Sequence, residues 1–194
     1  MMQALLKEAV SKDILILNQQ NVISFQDLND KVEVVTNETS FVTNKLLFAT
    51  NGFASELTKN QVQPARAQVL ITKPIENLDI KGTFHLDKGY YYFRNIGNRI
   101  LFGGGRNLDF KGETTTDLAQ SKIIQDKLEE LLKTVILPNQ KIEIEHRWSG
   151  IMGVGNNKNP IVEQLSNNVY CGVRMGGMGV AIGSLIGKEL ADLV

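Results

Sequence analysis

The sequence has few of the residues on which disulfide frameworks and metal clusters are built. Its 194 residues include one cysteine, Cys171, and two histidines, His85 and His146. A single cysteine excludes a disulfide within the chain and is typical of a reducing compartment. Because a His/Cys metal cluster needs more of these ligands than the chain offers, we predict that the protein has no metal site.

The sequence also lacks an excess of either charge and any long apolar run. Lys plus Arg number 21 and Asp plus Glu number 21, so the formal net charge is zero. This excludes binding of nucleic acid through the overall charge of the protein. No apolar run reaches the length of a membrane span, and the N-terminus lacks the apolar stretch of a signal peptide. We therefore expect a cytoplasmic protein with no nucleic-acid partner and no membrane span.

What is present is a succession of short β-type runs with a few helical ones, which indicates a mixed α/β (α+β) fold. The antiparallel signal is clearest over residues 83–105, where turns at 87–89 and 95–98 separate three β-rich runs. Helices are predicted at 2–12, at 117–135 and from Gly179 to Leu193. Further strands are predicted at 14–17, 22–25, 31–36, 45–49, 65–72, 141–146 and 168–173.

The middle run of residues 83–105 carries a candidate binding surface. Strand alternation places Tyr90, Tyr92 and Arg94 on one face and Tyr91 and Phe93 on the other. The face with the arginine either lines a pocket or is an ordinary sheet face that the arginine covers.

The most distinctive local feature is the glycine-rich segment 172–183, where a strand ends, the chain turns and a helix begins. Free N–H groups at a helix N-terminus favour an anion or an electron-rich carbonyl, and glycine lets a flat ligand approach the main chain. The alternative is that these glycines serve packing alone. The spacing Gly177-x-Gly179 followed by Gly183 does not match the dinucleotide fingerprint. Cys171, inside the preceding strand, is interpreted as a buried, inert thiol.

Five motifs occur in an order that is similar to a known family. The succession resembles the C-terminal part of the D-amino-acid-oxidase-like (DAO) superfamily of FAD-dependent oxidoreductases, nearest the glycine oxidase and γ-glutamylputrescine oxidase branches. The motifs are KLLFATNGFAS at 45–55, PARAQ at 64–68, RILFGGGR at 99–106, RWSGIM at 147–152 and RMGGMGV at 174–180.

The resemblance implies a partial FAD-binding domain that is interleaved with an antiparallel-sheet substrate domain. Residues 1–63 and 147–194 would be parts of the FAD domain, and 64–146 would be the substrate domain with one long helix. The family's N-terminal Gly-rich dinucleotide-binding unit would precede Met1, so we expect this chain to lack the main anchor of the FAD pyrophosphate.

The resemblance also implies which residues contact a non-covalently bound FAD. Thr50, Asn51 and Gly52 match the family's cofactor-contacting turn, and Val22 matches a strand position beside the adenine. The positions that match the loop and helix start around the flavin ring are Met175, Gly177, Met178, Gly179 and Val180.

One departure from the family concerns the substrate. Relatives that oxidise amino acids often carry an arginine for the substrate carboxylate at the position of Met152, so this chain needs another residue or a less acidic amine. Arg94, Arg147 and Arg174 are the alternatives, and the sequence does not choose among them. Tyr90, Tyr92, Arg94 and Met152 are the predicted substrate-binding residues, and no side chain is predicted as a general acid or base.

The functional hypothesis is a fragment of a FAD-dependent oxidoreductase that oxidises the C–N bond of an amine or amino acid by hydride transfer to flavin. We expect the isolated chain to be inactive, so its status as an enzyme stays open. The alternative is a non-catalytic assembly module, or half of a split enzyme, that pairs with itself or with another chain.

Overall fold

A computed structural model describes residues 1–56 and 62–194, which form three helices and eleven strands within those ranges. The helices are α1 (Met2–Ser11), α2 (Lys122–Leu131) and α3 (Gly179–Asp192). The strands are β1 (Val22–Asp27), β2 (Val32–Thr36), β3 (Ser40–Thr43), β4 (Leu46–Phe48), β5 (Gln63–Thr72), β6 (Thr83–Leu86), β7 (Tyr91–Ile96), β8 (Arg99–Gly104), β9 (Ile144–Val154), β10 (Ile161–Ser166) and β11 (Val169–Val173). A 3-10 helix covers Asn51–Glu56, and another covers Arg106–Leu108.

The chain divides into two compact units. The smaller unit contains Met1–Leu46 and Gln164–Tyr170, and the larger unit contains Leu47–Glu163 and Cys171–Val194. No helix in residues 1–56 and 62–194 is long and apolar enough to cross a membrane. The mixed α/β class with antiparallel sheets, as predicted, is confirmed.

The larger unit is built on a five-stranded sheet with the order β6-β7-β8-β5-β9, in which every neighbouring pair is antiparallel. Helix α2 covers one face, where Ile124 and Leu128 are fully buried against Leu70 of β5 and Phe102 of β8. The opposite face of the sheet carries Tyr92 and the residues that pair beside it on the neighbouring strands. Helix α2 does not cover this face.

The smaller unit contains the antiparallel sheet β1-β2-β3, whose central strand alternates buried and half-buried residues. Asp27 is the last residue of β1 and connects this strand to the segment 164–170 of the same unit. Its carboxylate accepts hydrogen bonds from the Ser166 hydroxyl (2.6 Å) and from the Asn168 backbone and side chain (2.9 and 3.0 Å). A third sheet has the order β10-β11-β4.

The predicted helix 117–135 is shorter in the structure and begins at Lys122. Tertiary hydrogen bonds hold the chain before it, because the Gln68 amide accepts from the Ser121 N–H (3.0 Å) and donates to the Ser121 hydroxyl (2.8 Å). Leu118 therefore stays exposed outside the helix. At the other end, residues Leu132–Ile136 form a π-helical turn that buries Leu132 and Ile136 and leaves Val135 exposed.

Two strand predictions are also wrong in detail. Residues 14–17 form no strand. They make no strand pairing with any residue that the structure describes, and their apolar side chains are exposed. The strand predicted at 141–146 begins at Ile144 and continues to Val154, because β5 supplies a partner along that whole length. Strands β3 and β10 were not predicted, since short runs such as these become strands only where a neighbour pairs with them.

Candidate functional site

Asn51 connects the turn after β4 to the glycine-rich turn before α3. It begins the 3-10 helix Asn51–Glu56 with a left-handed backbone (φ 48°), and its Oδ1 accepts a hydrogen bond from the Met175 N–H at 3.1 Å. A Cβ on Gly153 would lie 2.7 Å from the same Oδ1, so glycine at 153 is required for this approach. The Gly153 carbonyl in turn accepts from the Gly176 N–H at 2.9 Å. The turn at 50–52, the residue that follows the motif at 147–152 and the motif at 174–180 thus meet in one place.

The N-terminus of α3 presents unpaired donors at this place. In the part of the chain that the structure describes, the N–H groups of Gly177, Gly179 and Val180 have no hydrogen-bond acceptor, whereas the Met178 N–H donates to the Met175 carbonyl at 3.0 Å. Gly177 and Met178 are exposed, as is Val180. A helix of 14 residues adds its dipole to these donors, so the site favours an electron-rich or anionic group.

Two methionine side chains border the open glycines. The Met152 Sδ lies 3.7 Å from the position of a Cβ on Gly177, and the Met175 Cε lies 3.9 Å from that position on Gly179. Soft thioethers beside a bare main chain make a surface for a flat ring, and the free N–H groups supply donors for the ring's acceptors. The residues present therefore fit a flavin.

The open face of the five-stranded sheet carries the residues predicted to bind substrate. Tyr92 of β7 pairs with Gly103 of β8, which pairs with Val69 of β5, which pairs with Trp148 of β9. Paired residues in antiparallel strands share a face, so Tyr92 and Trp148 lie on one side of the sheet. A Cβ on Gly103 would lie 3.0 Å from the Tyr92 ring, and desolvation raises the pKa of the Tyr92 hydroxyl.

The same alternation places the other predicted substrate residues. Arg94 follows Tyr92 on this open face and is exposed, and Met152 follows Trp148 by four residues along β9. Tyr91 and Phe93 are buried on the α2 face, which confirms the predicted alternation from Tyr91 to Arg94. Tyr90 is outside β7, at the end of a 3-10 turn with a right-handed helical backbone, so the alternation does not extend to it. The structure does not test the binding roles of Tyr90, Tyr92, Arg94 and Met152, which stay predictions.

Of the three arginines considered for the substrate carboxylate, two are engaged elsewhere. Arg147 donates to the Gln125 amide at 2.7 Å and forms an ion pair with Glu129 of α2. Arg174 has a left-handed backbone (φ 62°) and donates to the Asn159 carbonyl and the Asn157 side chain at 2.9 and 3.0 Å. Both guanidinium groups therefore serve the fold.

The sequence analysis missed a buried polar cluster on the face of the sheet that α2 covers. Arg66 donates two hydrogen bonds to Glu113 (2.9 and 2.8 Å), and Gln68 donates a third at 2.8 Å. Burial raises the pKa of the fully buried Glu113, but the hydrogen bonds from Arg66 and Gln68 outweigh it and the pKa lies below the ordinary value. Arg66, Gln68 and Leu70 are spaced two residues apart along β5, so strand alternation puts all three on the core face of the sheet, and this spacing was the available signal.

Two further residues complete the account of the predicted sites. Val22 begins β1 in the smaller unit, where it pairs with Thr36. Cys171 is buried in β11, and burial raises the pKa of its thiol, which keeps it protonated and unreactive.

Comparison with known proteins decides the family. The sequence profile described as FAD dependent oxidoreductase (DAO) matches residues 1–193. The chain belongs to the DAO family of FAD-dependent oxidoreductases. It is 22% identical over 205 residues to a probable oxidoreductase, OrdL, of Haemophilus influenzae, covering 98% of this chain and 45% of that protein.

Solved structures of the DAO family share the fold. L-Proline dehydrogenase from P. horikoshii superimposes with a TM-score of 0.78 at 22% identity, covering 99% of this chain and 54% of that one. Glycine oxidase from Geobacillus kaustophilus gives a TM-score of 0.81 at 18% identity, covering 98% and 52%. The chain thus spans about half the length of the DAO relatives that it matches.

Proposed function

We propose that this chain supplies the C-terminal half of a FAD-dependent oxidoreductase that oxidises the C–N bond of an amine or amino acid. The observation that carries the proposal is the open N-terminus of α3, where three unpaired N–H groups lie beside Asn51 and Met152. Membership of the DAO family supplies the identity of the flat, electron-rich group that would fit there.

In this proposal the cofactor is FAD, held without a covalent bond. Thr50, Asn51 and Gly52 would contact it from the turn after β4, and Val22 would lie beside the adenine. The turn and helix start would hold the ring through Met175, Gly177, Met178, Gly179 and Val180. The inert, buried Cys171 supports a non-covalent flavin. Residues 1–63 and 147–194 would form the FAD domain, and 64–146 the substrate domain.

Bound FAD would accept a hydride from the substrate carbon next to nitrogen. The N–H groups of Gly179 and Val180 would stabilise negative charge that develops near the helix N-terminus. The open sheet face, with Tyr90, Tyr92, Arg94 and Met152, would orient the substrate and exclude water from it. Since the chain spans about half of its relatives, we expect no turnover from the 194 residues alone.

A titration of the purified chain with FAD tests the cofactor site. Trp148 is the only tryptophan and lies on the open sheet face, so quenching of its fluorescence and of the flavin fluorescence both report binding. We expect saturable binding that Gly179→Asp weakens by roughly tenfold or more, because the new carboxylate repels an electron-rich group at the free N–H donors.

Gly187→Asp is the matched control for that experiment. It makes the same substitution in the same helix, where no atom outside the helix's own backbone lies within 4 Å of the new Cβ, and it should leave FAD binding unchanged. Equal effects of the two variants would contradict a flavin half-site in these residues, whereas no binding by the unmodified chain would show that these residues do not hold FAD by themselves.

The second candidate is a non-catalytic assembly module, for which α1 is the specific observation. None of its residues is buried, and Leu5, Leu6 and Val10 are all more than half exposed. An exposed apolar surface of this kind favours association with a second copy or with another chain. A concentration-dependent oligomer that persists without flavin supports this candidate, and a monomer at high concentration excludes it.

A further inference from the structure

The residue that opens the glycine-rich turn is an arginine in a backbone conformation that favours glycine. Arg174 follows directly on β11, which ends at Val173, and its φ of 62° lies in the left-handed region. A residue with a long side chain rarely adopts this region and stays there only where its surroundings enforce it. Because the backbone favours glycine at this position, the reason for an arginine lies in its side chain.

The Arg174 side chain ties the turn to the segment that follows β9. Its Nε donates to the Asn159 carbonyl at 2.9 Å, and its Nη2 donates to the Asn157 Oδ1 at 3.0 Å. The same Oδ1 accepts from the Asn159 N–H at 3.0 Å, so the accepting segment is itself held in a turn. A planar guanidinium holds two such acceptors in a fixed geometry, which a flexible ammonium group does not.

Gly155 gives the arginine its path to these acceptors. A Cβ on Gly155 would lie 2.6 Å from the Arg174 Cδ and 3.1 Å from its Nη1, so the arginine stem passes directly over residue 155. The backbone of Gly155 is not left-handed, so the contact with Arg174, and not the backbone, requires glycine there.

Three consecutive residues thus hold the turn before α3. Arg174 holds its start through the side chain, the Met175 N–H donates to Asn51, and the Gly176 N–H donates to the Gly153 carbonyl. The unpaired N–H groups of the α3 N-terminus come directly after these three residues. Donors that are fixed before a ligand arrives bind it more tightly, because no conformational entropy is lost in ordering them.

We propose that Arg174 is a positioning residue that holds the turn 174–178 in the conformation in which those N–H groups are free for a ligand. This inference rests on the proposed function for the identity of that ligand, FAD. The guanidinium acts through the turn and not on the cofactor, since its Nε and Nη2 donate to residues 159 and 157.

Arg174→Gly separates positioning from stability. Glycine suits the left-handed backbone and removes only hydrogen bonds at the surface, so the midpoint of urea unfolding should stay the same or rise. The 15N heteronuclear NOE of residues 174–178 in the protein without FAD should fall, while that of β11 stays unchanged. FAD should bind roughly three- to tenfold more weakly, because binding must then order the turn.

Gly155→Ala disturbs the same contact from the other side. It should lower the NOE of the turn and weaken FAD binding where Arg174 is present, and it should add nothing in the Arg174→Gly background, because both changes act through one contact. Gly150→Ala is the matched control: it makes the same substitution in β9, where the new Cβ has no neighbour within 4 Å, and it should change neither quantity.

Arg174→Lys distinguishes positioning from direct attraction. Lysine keeps the positive charge but loses the two-donor fork, so we expect FAD binding to weaken as it does in Arg174→Gly. Full FAD binding by this variant would overturn the inference, because the charge alone would then be what the site uses.

The NOE of the turn and the affinity for FAD answer separate questions. A turn that stays ordered in Arg174→Gly overturns the inference whether or not FAD binds, and a disordered turn with unchanged FAD affinity overturns it as well. A lower NOE together with weaker FAD binding supports it. If the unmodified chain does not bind FAD, that result counts against the flavin half-site, and a lower NOE in both Arg174→Gly and Gly155→Ala still supports the role of Arg174 in holding the turn.

Discussion

At the scale of single residues, Glu113 holds the buried polar cluster together. It accepts hydrogen bonds from Arg66 and Gln68 while being fully excluded from solvent. Removing one partner of a buried ion pair leaves an uncompensated charge, which costs far more than loss of an exposed pair.

Replacement of Glu113 should therefore destabilise the protein strongly. We expect Glu113→Gln to lower the free energy of unfolding by about 3–5 kcal/mol, measured by urea denaturation. Glu143→Gln, which removes the exposed ion pair with Lys73, should leave it essentially unchanged. Similar values for the two variants would show that Arg66 finds another partner or reaches solvent.

Asp27 gives the smaller unit a predictable dependence on pH. Hydrogen bonds from Ser166 and Asn168 lower the pKa of its carboxyl from 3.8 to about 2. Because the folded-state pKa lies below the unfolded value, the charged form stabilises the fold above pH 3.8, and this contribution disappears as the pH falls through 2.

The matching experiment compares the protein with Asp27→Asn across that range. The difference in unfolding free energy between the two should be constant above about pH 4 and shrink between pH 4 and pH 2. Carboxyl 13C shifts of Asp27 should titrate with a midpoint near 2. A midpoint near the ordinary value, with no pH dependence of the difference, would contradict the hydrogen-bonded geometry.

At the scale of elements, α2 offers adjacent isoleucines in opposite environments. Ile124 is fully buried against the five-stranded sheet, and Ile123 is 53% exposed. Ile124→Ala should lower the unfolding free energy by about 2–5 kcal/mol through lost burial and the cavity left behind. Ile123→Ala, the same change one residue earlier, should stay within about 0.5 kcal/mol. Equal losses in denaturant unfolding would mean that α2 does not pack in this register.

Elements defined by local patterns were predicted well, and those defined by partners were not. The two turns at 87–89 and 95–98 carry their own signal, and β6, β7 and β8 follow as expected. The start of α2 was misplaced because the Gln68 side chain holds Ser121, a contact between residues 53 positions apart. Residues 14–17 have a strand composition but no strand to pair with in the described chain.

At the scale of the whole molecule, the exposed apolar side chains of α1 predict association. We expect Leu6→Glu to reduce any concentration-dependent oligomer seen by light scattering, because it places a charge on the exposed apolar surface. The same variant should leave the unfolding free energy within about 0.5 kcal/mol of the unmodified chain, since no residue of α1 is buried. An oligomer that Leu6→Glu does not alter would place the contact elsewhere.

The sequence by itself determined the fold class, the hairpins of residues 83–105, the alternation of Tyr91 and Tyr92 and the family, because local periodicity and motif order survive without tertiary contacts. Only the tertiary structure decided which arginines are engaged. The partners of Arg147 and Arg174 come from other segments. Strand pairing likewise extended β9 to Val154 and brought Met152 beside Gly177, since a strand forms where a neighbour accepts its hydrogen bonds.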